Sequence, residues 1–191
     1  MESVFPISRI EQDCILAKSG SATIAYEVEL PEIFTLASAD FEALHATLLK
    51  AVRVLPQHTV LHKQDWFTEA AFHPSTEDAS FLTSSSDRHF NERPFLQHEC
   101  YIFLSTVPAS HRNPTPLSSV LIRDSLLPKA SQDGASFDQL IEKAGQFAAI
   151  LEDSGYFRLR RMKEDEIGSS REKAGLLERY CFQLAQNQLP E

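Results

Sequence analysis

The chain has 191 residues, 42% of them hydrophobic and 24% charged, a size and balance that suit one globular domain or one with an appendage. No apolar run approaches the ~20 residues that span a bilayer, and the start MESVFPISRIEQD lacks the basic and apolar regions of a secretory signal, so a cytoplasmic location is expected. The net charge of −9 disfavours an electrostatic partnership with nucleic acid or anionic lipid, and three widely spaced cysteines, Cys14, Cys100 and Cys181, exclude a disulfide framework.

In chain order, residues 14–18 and 22–30 predict two strands joined by Ser19-Gly20, a hairpin signal. Ile24, Tyr26, Val28 and Leu30 alternate with Thr23, Ala25, Glu27 and Glu29, so one face is expected to be buried and the other wet. Pro31 stops the ladder because it has no N–H to donate. Ser38 then reads as the cap of a helix ended by Pro56, with Asp40 and Glu42 in its first turn, where the helix dipole favours acids. Phe41, Leu44, His45, Leu48, Val52 and Leu55 fall at helical spacing and predict its buried stripe.

Residues 58–67 predict the next strand. A helix is expected over 75–91, weakened by Ser84-Ser85-Ser86 and closed by Pro94. Residues 98–105 form a strongly hydrophobic strand, expected to be central. Residues 106–135, with four prolines, form the longest irregular connection, within which 120–127 reads as a short covering element. Ser136 and Gln139 make a capping box for a helix whose buried face holds Phe137, Leu140, Ile141, Ala144, Phe147, Ala148 and Leu151. Gly155 stands where a left-handed C-cap belongs. A strand over 156–162 and a final helix from Ser169 or Ser170 to about Gln186 complete the chain. That helix has a narrow seam of Ala174, Leu177, Cys181 and Leu184, which either packs on its own domain or pairs with a second copy.

Set aside the first short strand and the last helix, and the order is β-α-β, helical insertion, β-α-β. The expected class is α+β and ferredoxin-like: two βαβ halves in an antiparallel sheet with helices on one face, an extra N-terminal strand, a helical insertion and a C-terminal helix. One tension follows. The first core strand of such a sheet already has two neighbours, so the hairpin partner at 14–18 must pair at one end only, or the strand order must differ.

Catalytic patterns are not found. None of the six glycines is followed by lysine, and Gly168 and Gly175 precede Leu176 where a P-loop needs its lysine. Nor is there a Gly-x-Ser-x-Gly elbow or a His-Glu-x-x-His helix. His58 and His62 read as sharing a strand face ~13 Å apart, too far for one ion. His98 and Cys100 could reach one zinc, but no second pair at ligand spacing completes the set, so no metal and no cofactor are expected. Asp65 beside Trp66 and Glu92 beside Arg93 read as structural pairs rather than dyads. Tyr101 and Phe103 share a strand face, as the base-stacking aromatics of RRM sheets do, but the Lys/Arg-Gly-Phe/Tyr consensus is missing. Core packing explains the same two residues. Residues 1–155 carry 11 Lys/Arg against 21 Asp/Glu, and the cluster Arg158, Arg160, Arg161, Lys163 runs at once into Glu164, Asp165 and Glu166. A solvated strand end fits that pattern better than a phosphate track.

The stretch RHFNERPFLQHECYIFLS at 88–105, with HKQDWF at 62–67, resembles the N-terminal region of TraG-family conjugation ATPases, found in Bacteroides-type conjugative transposons and related to the VirB-type secretion ATPases. DCILAKSGSATIAYEVELPEIFTL at 13–36 and GQFAAILEDSGYFRLRRMKEDEI at 145–167 extend the resemblance in order over most of the chain. It implies a non-catalytic N-terminal domain, 1–167, with a C-terminal helix at 168–191 leading toward a motor domain that holds the nucleotide site. The implied role is docking and assembly. Its partners would be inner-membrane components of the channel, the protein's own ATPase domain and a second copy, with no direct nucleic acid. The protein would then be cytoplasmic and held at the inner membrane through those partners. Local character nominates as contacts Trp66 and Phe67, Arg88, Glu92 and Arg93 around the Pro94 turn, Leu117, Leu121 and Leu127 in the long loop, and Leu177 and Leu184 on the last helix.

Overall fold

The computed structural model describes residues 6–71, 80–91, 93–106, 134–170 and 173–184. Its strands are β1 (Ile7–Glu11), β2 (Cys14–Ala17), β3 (Ala22–Glu29), β4 (Thr59–Ala70), β5 (Phe95–Thr106) and β6 (Arg158–Arg161). Its helices are α1 (Ser38–Arg53), α2 (Phe81–Asn91), α3 (Gly134–Asp153) and two short ones, α4 (Glu164–Ile167) and α5 (Leu176–Phe182).

The six strands form one antiparallel sheet in the order β1-β2-β3-β5-β4, with β6 also on β3. β3-α1-β4 leaves room for β5 between its strands, and β5-α3-β6 leaves room for β3. This is the α+β arrangement the element order predicts, and its split βαβ halves are consistent with a ferredoxin-like sandwich. The tension over β3 resolves through a divided edge. β2 takes its first residues, Ala22 and Thr23, and β6 takes Tyr26 through Glu29. The partner strand pairs at one end only.

β1 is a strand the sequence did not announce. Gln12 and Asp13, both at positive φ, make the two-residue turn that returns β1 into β2. Asp13 then accepts the Glu164 amide at 2.8 Å and so ties this turn to the start of α4.

The predicted inward face of β3 is the core. Ile24, Tyr26 and Val28 join Cys100, Ile102 and Leu104 of β5 beneath Ala51 of α1 and Leu140, Ala144, Phe147 and Leu151 of α3. Asp40 accepts the Ala37 amide at 2.8 Å, so Ala37 stands at the N-cap of α1 and Ser38 is already helical. α3 begins at Gly134, two residues ahead of the expected cap at Ser136. It ends at Asp153, and Gly155 just beyond, with φ of +75°, supplies the left-handed cap.

α1 departs from its predicted stripe. Ala51 is fully buried, with Asp40, Leu44 and Thr47 half-buried on the same side, while Phe41, Leu48 and Val52 are exposed. The helix is turned so that Ala51 enters the cluster that also holds Ala144 of α3. Small residues let two helices approach closely, and that outweighs burying the larger side chains one position round.

The expectation of helices on one face also needs correction. α1 and α3 lie on one face, but α4 and α5 cover the other, where Ile167 and Leu176 pack with Ile15, Ala25, Tyr101 and Met162. α5 starts at Leu176, later than Ser169 or Ser170. Its inward residues are Leu176 and Arg179, and Cys181 of the predicted seam is exposed. The basic cluster of β6 is neutralised locally. Arg160 bridges Glu27 and Glu166, Arg158 meets Glu29, and Arg161 donates to the Gln12 carbonyl.

Candidate docking site

β4 and β5 pair along their whole length, from Thr59 opposite Thr106 to Ala70 opposite Phe95. β3 follows β5 only as far as Val28 opposite Cys100. Beyond that point β4 and β5 continue as a two-stranded ribbon with no third described strand paired to it. The ribbon carries Phe67, Phe95 and Leu96, which are 62%, 50% and 67% exposed. Segments 62–67 and 98–103 are partners in space, since His62 lies opposite Phe103 and Phe67 opposite His98.

On the side of the ribbon that continues the α1 and α3 face, the Phe67 ring stacks on His98 with centroids 4.6 Å apart. His98 Nε2 sits 2.9 Å from Asp65 Oδ1, and Lys63 Nζ donates to the same carboxylate. Lys63 first, then His98, hold the Asp65 carboxyl below the usual carboxylate range. Burial pushes the neighbouring Cys100 thiol up to about 11. This is the pair that could have reached one zinc. Among the described residues no three His, Cys, Asp or Glu side chains converge as metal ligands. The Lys63 ammonium also places a positive charge where a cation would compete.

The other side is built around a buried ion pair. Arg179 of α5 grips Glu99 of β5 with Nη2 at 2.8 and 3.0 Å from the two carboxylate oxygens, and the residues are 5% and 7% exposed. Tyr101 donates its hydroxyl to Glu99 Oε2 at 2.6 Å and accepts from Arg179 Nη1 at 3.3 Å. Burial, then the Glu99 carboxylate, raises the Tyr101 pKa. Burial alone would lower the Arg179 pKa, but Glu99 and Tyr101 outweigh it and the guanidinium is held above its ordinary range. The guanidinium carbon lies 4.9 Å from the Trp66 ring centroid, and Trp66 also packs on Tyr101 at 5.1 Å and Tyr180 at 6.3 Å. α5 is therefore fastened to the sheet by charge as well as by Leu176. Exposed pairs such as Arg158–Glu29 contribute ~0–1 kcal/mol, whereas breaking a buried pair by removing one partner costs ~3–5 kcal/mol.

The structure brings some nominated residues together and separates others. Trp66 is half-buried under α5. Phe67 projects from the opposite side of the ribbon. Leu177 and Leu184 are half-buried on the Trp66 side, Leu177 in a cleft with Phe103 and Leu184 in one with Arg179. Arg88, on α2, and Arg93, just before β5, are exposed. Glu92, Leu117, Leu121 and Leu127 lie outside the described residues, as does the element expected over 120–127. Tyr101 and Phe103 do share a face, but Tyr101 is 2% exposed beneath α5 and its hydroxyl is engaged. Arg179 and Glu99 were not anticipated. The available signal was an acid inside the apolar run from His98 to Leu104, which demands a buried cationic partner.

A family model described as a domain of unknown function from a B. theta gene (DUF3875) matches residues 1–46. That stretch holds β1, β2, β3 and the first half of α1. No curated protein matches the chain.

Proposed function

We propose that this chain is the non-catalytic N-terminal docking and assembly domain of a TraG-type conjugative-transfer ATPase. It couples a motor domain farther along the polypeptide to the inner-membrane part of a type IV secretion channel. The observation that carries this reading is the ribbon. The two segments on which the resemblance rests pair there as one unit, and its apolar residues Phe67, Phe95 and Leu96 stay at least half exposed, Phe67 with one face on His98. Apolar side chains presented on a projecting rigid element are suited to a protein partner. The B. theta source of the matching family model agrees with the Bacteroides-type origin the resemblance implies. The domain works from the cytoplasmic side and reaches the membrane through its partners. No helix among the described residues is long and apolar enough to cross a membrane.

The rival reading, a single-strand nucleic-acid module on Tyr101 and Phe103, has less in its favour. α5 occupies that platform, and the chain carries a net charge of −9.

The test is co-purification of the full-length protein with the channel's inner-membrane proteins, with residues 1–191 present, deleted, or carrying Phe67→Asp with Leu96→Asp. Retention by the intact protein and loss in the other two supports docking. Retention after deletion overturns it. Single-stranded DNA binding by the isolated chain that weakens steeply with salt would favour the rival instead.

A further inference from the structure

β4 ends the sheet. Its inner edge pairs with β5 over all twelve residues, and no described strand pairs with its outer edge. An edge this long, ~40 Å at strand rise, is a template for another strand unless something guards it. A lysine near mid-strand is a usual guard, and Lys63 stands there. Asp65 follows two residues later on the same face, which changes what the lysine does.

If a second β4 lies antiparallel across a two-fold axis perpendicular to the sheet, residues directly opposite must share a face, so allowed registers differ by two residues. Centring the axis on Gln64 places Lys63 opposite Asp65 of the other copy, twice. It also places the half-buried Leu61 opposite the 62% exposed Phe67. Sliding one step either way puts Lys63 on Lys63 or Asp65 on Asp65. Opposite charges facing across strands stabilise a pair and like charges oppose it, so both neighbouring registers are rejected. Within one chain Lys63 already donates to its own Asp65, and in this register it can share the Asp65 of the inverted copy as well, so a second β4 is accepted here and rejected one step either way.

We propose that a second copy of this chain docks along the outer edge of β4, with Gln64 on the two-fold axis and the two sheets joined into one. This goes beyond docking to the channel and does not depend on it. The interface is isologous, as closed two-fold dimers require.

Sedimentation equilibrium of the wild-type chain and of Lys63→Glu and Asp65→Lys variants tests it, with circular dichroism checking that each variant is folded. The wild type dimerises reversibly. Each single variant weakens the dimer about tenfold or more, because two attractive pairs become repulsive. Mixing the two variants restores a dimer. The glutamate introduced in one copy then faces the lysine introduced in the other, and the native Asp65 of the first faces the native Lys63 of the second. Gln64→Cys forms an intermolecular disulfide on mild oxidation, while Glu69→Cys, five residues from the axis, does not. A wild type that stays monomeric at several hundred micromolar overturns the proposal. So does a dimer that the single variants leave intact or their mixture fails to restore, which would place the contact on another surface, such as the exposed Phe41, Leu48 and Val52 of α1.

Discussion

Replacing Arg179 with Met tests whether the buried pair fastens α5 to the sheet. The substitution keeps the length and apolar stem of the side chain but removes the guanidinium from both Glu99 oxygens and from the Trp66 ring. Glu99, 7% exposed, is then left with the Tyr101 hydroxyl as its remaining donor. Stranding a buried carboxylate in this way costs ~3–5 kcal/mol. At ~2–4 °C per kcal/mol for a chain of this length, Tm falls by ~6–20 °C. Trp66 is the only tryptophan of the chain and lies against Arg179, so its fluorescence follows the detachment of α5 directly. Urea unfolding read by that signal and by circular dichroism gives the loss. Replacing the partner as well, with Glu99→Leu and Arg179→Met together, recovers most of it, because no charge is then stranded. A single-variant cost below ~1 kcal/mol, the value of an exposed pair, would refute the reasoning.

Stability is also expected to fall in alkali. Cys100 titrates at about 11 when folded, against ~8.5 for an exposed thiol, so below ~8.5 neither state ionises and stability is flat. Above that the unfolded chain gains by ionising first, and ~2 kcal/mol is lost by pH 10. The urea midpoint at pH 8 and 10 measures this, and Cys100→Ala should lessen the decline, the buried Cys14 and Tyr101, whose pKa values are also raised, supplying the rest. The face assignments on α1 and α3 predict unequal costs. Leu48→Ser changes stability by less than ~1 kcal/mol, while Phe147→Ala, at a fully buried position, costs ~3–5 kcal/mol by the same unfolding curve.

Local patterns reached as far as local physics extends. The alternation of Ile24, Tyr26 and Val28 and the helical spacing of Leu140, Ala144, Phe147 and Leu151 identified the face toward α1 and α3, but the opposite face of β3, expected to be wet, buries Ala25 beneath α4 and α5. The α1 stripe failed because size is not the criterion where helices cross. Ala51 is preferred at the contact and Phe41 is left outside. Both strands run farther than the pattern predicts, β4 on to Ala70 and β5 back to Phe95, because Phe95 and Leu96 beside Pro94 break the alternation that marks a strand. The ion pair joins residues 80 apart in sequence, and no window of a few residues could relate them. The acid in an apolar strand was visible, but its partner was not.

The divided edge of β3 has a consequence for synthesis on the ribosome. The region matched by the family model ends at residue 46, yet β3 at its heart takes its long-range neighbours from β5 and from β6 at residues 158–161. At ~5–20 residues per second, roughly 7–26 s separate the emergence of β3 from that of its last neighbour. Until β5 and α3 have emerged Ile24, Tyr26 and Val28 lack most of the core they enter, and until β6 follows one edge of β3 stays unpaired, so the nascent chain is most exposed to chaperones and proteases in that interval. Residues 1–46 expressed alone would not be a folded unit but an unfinished one.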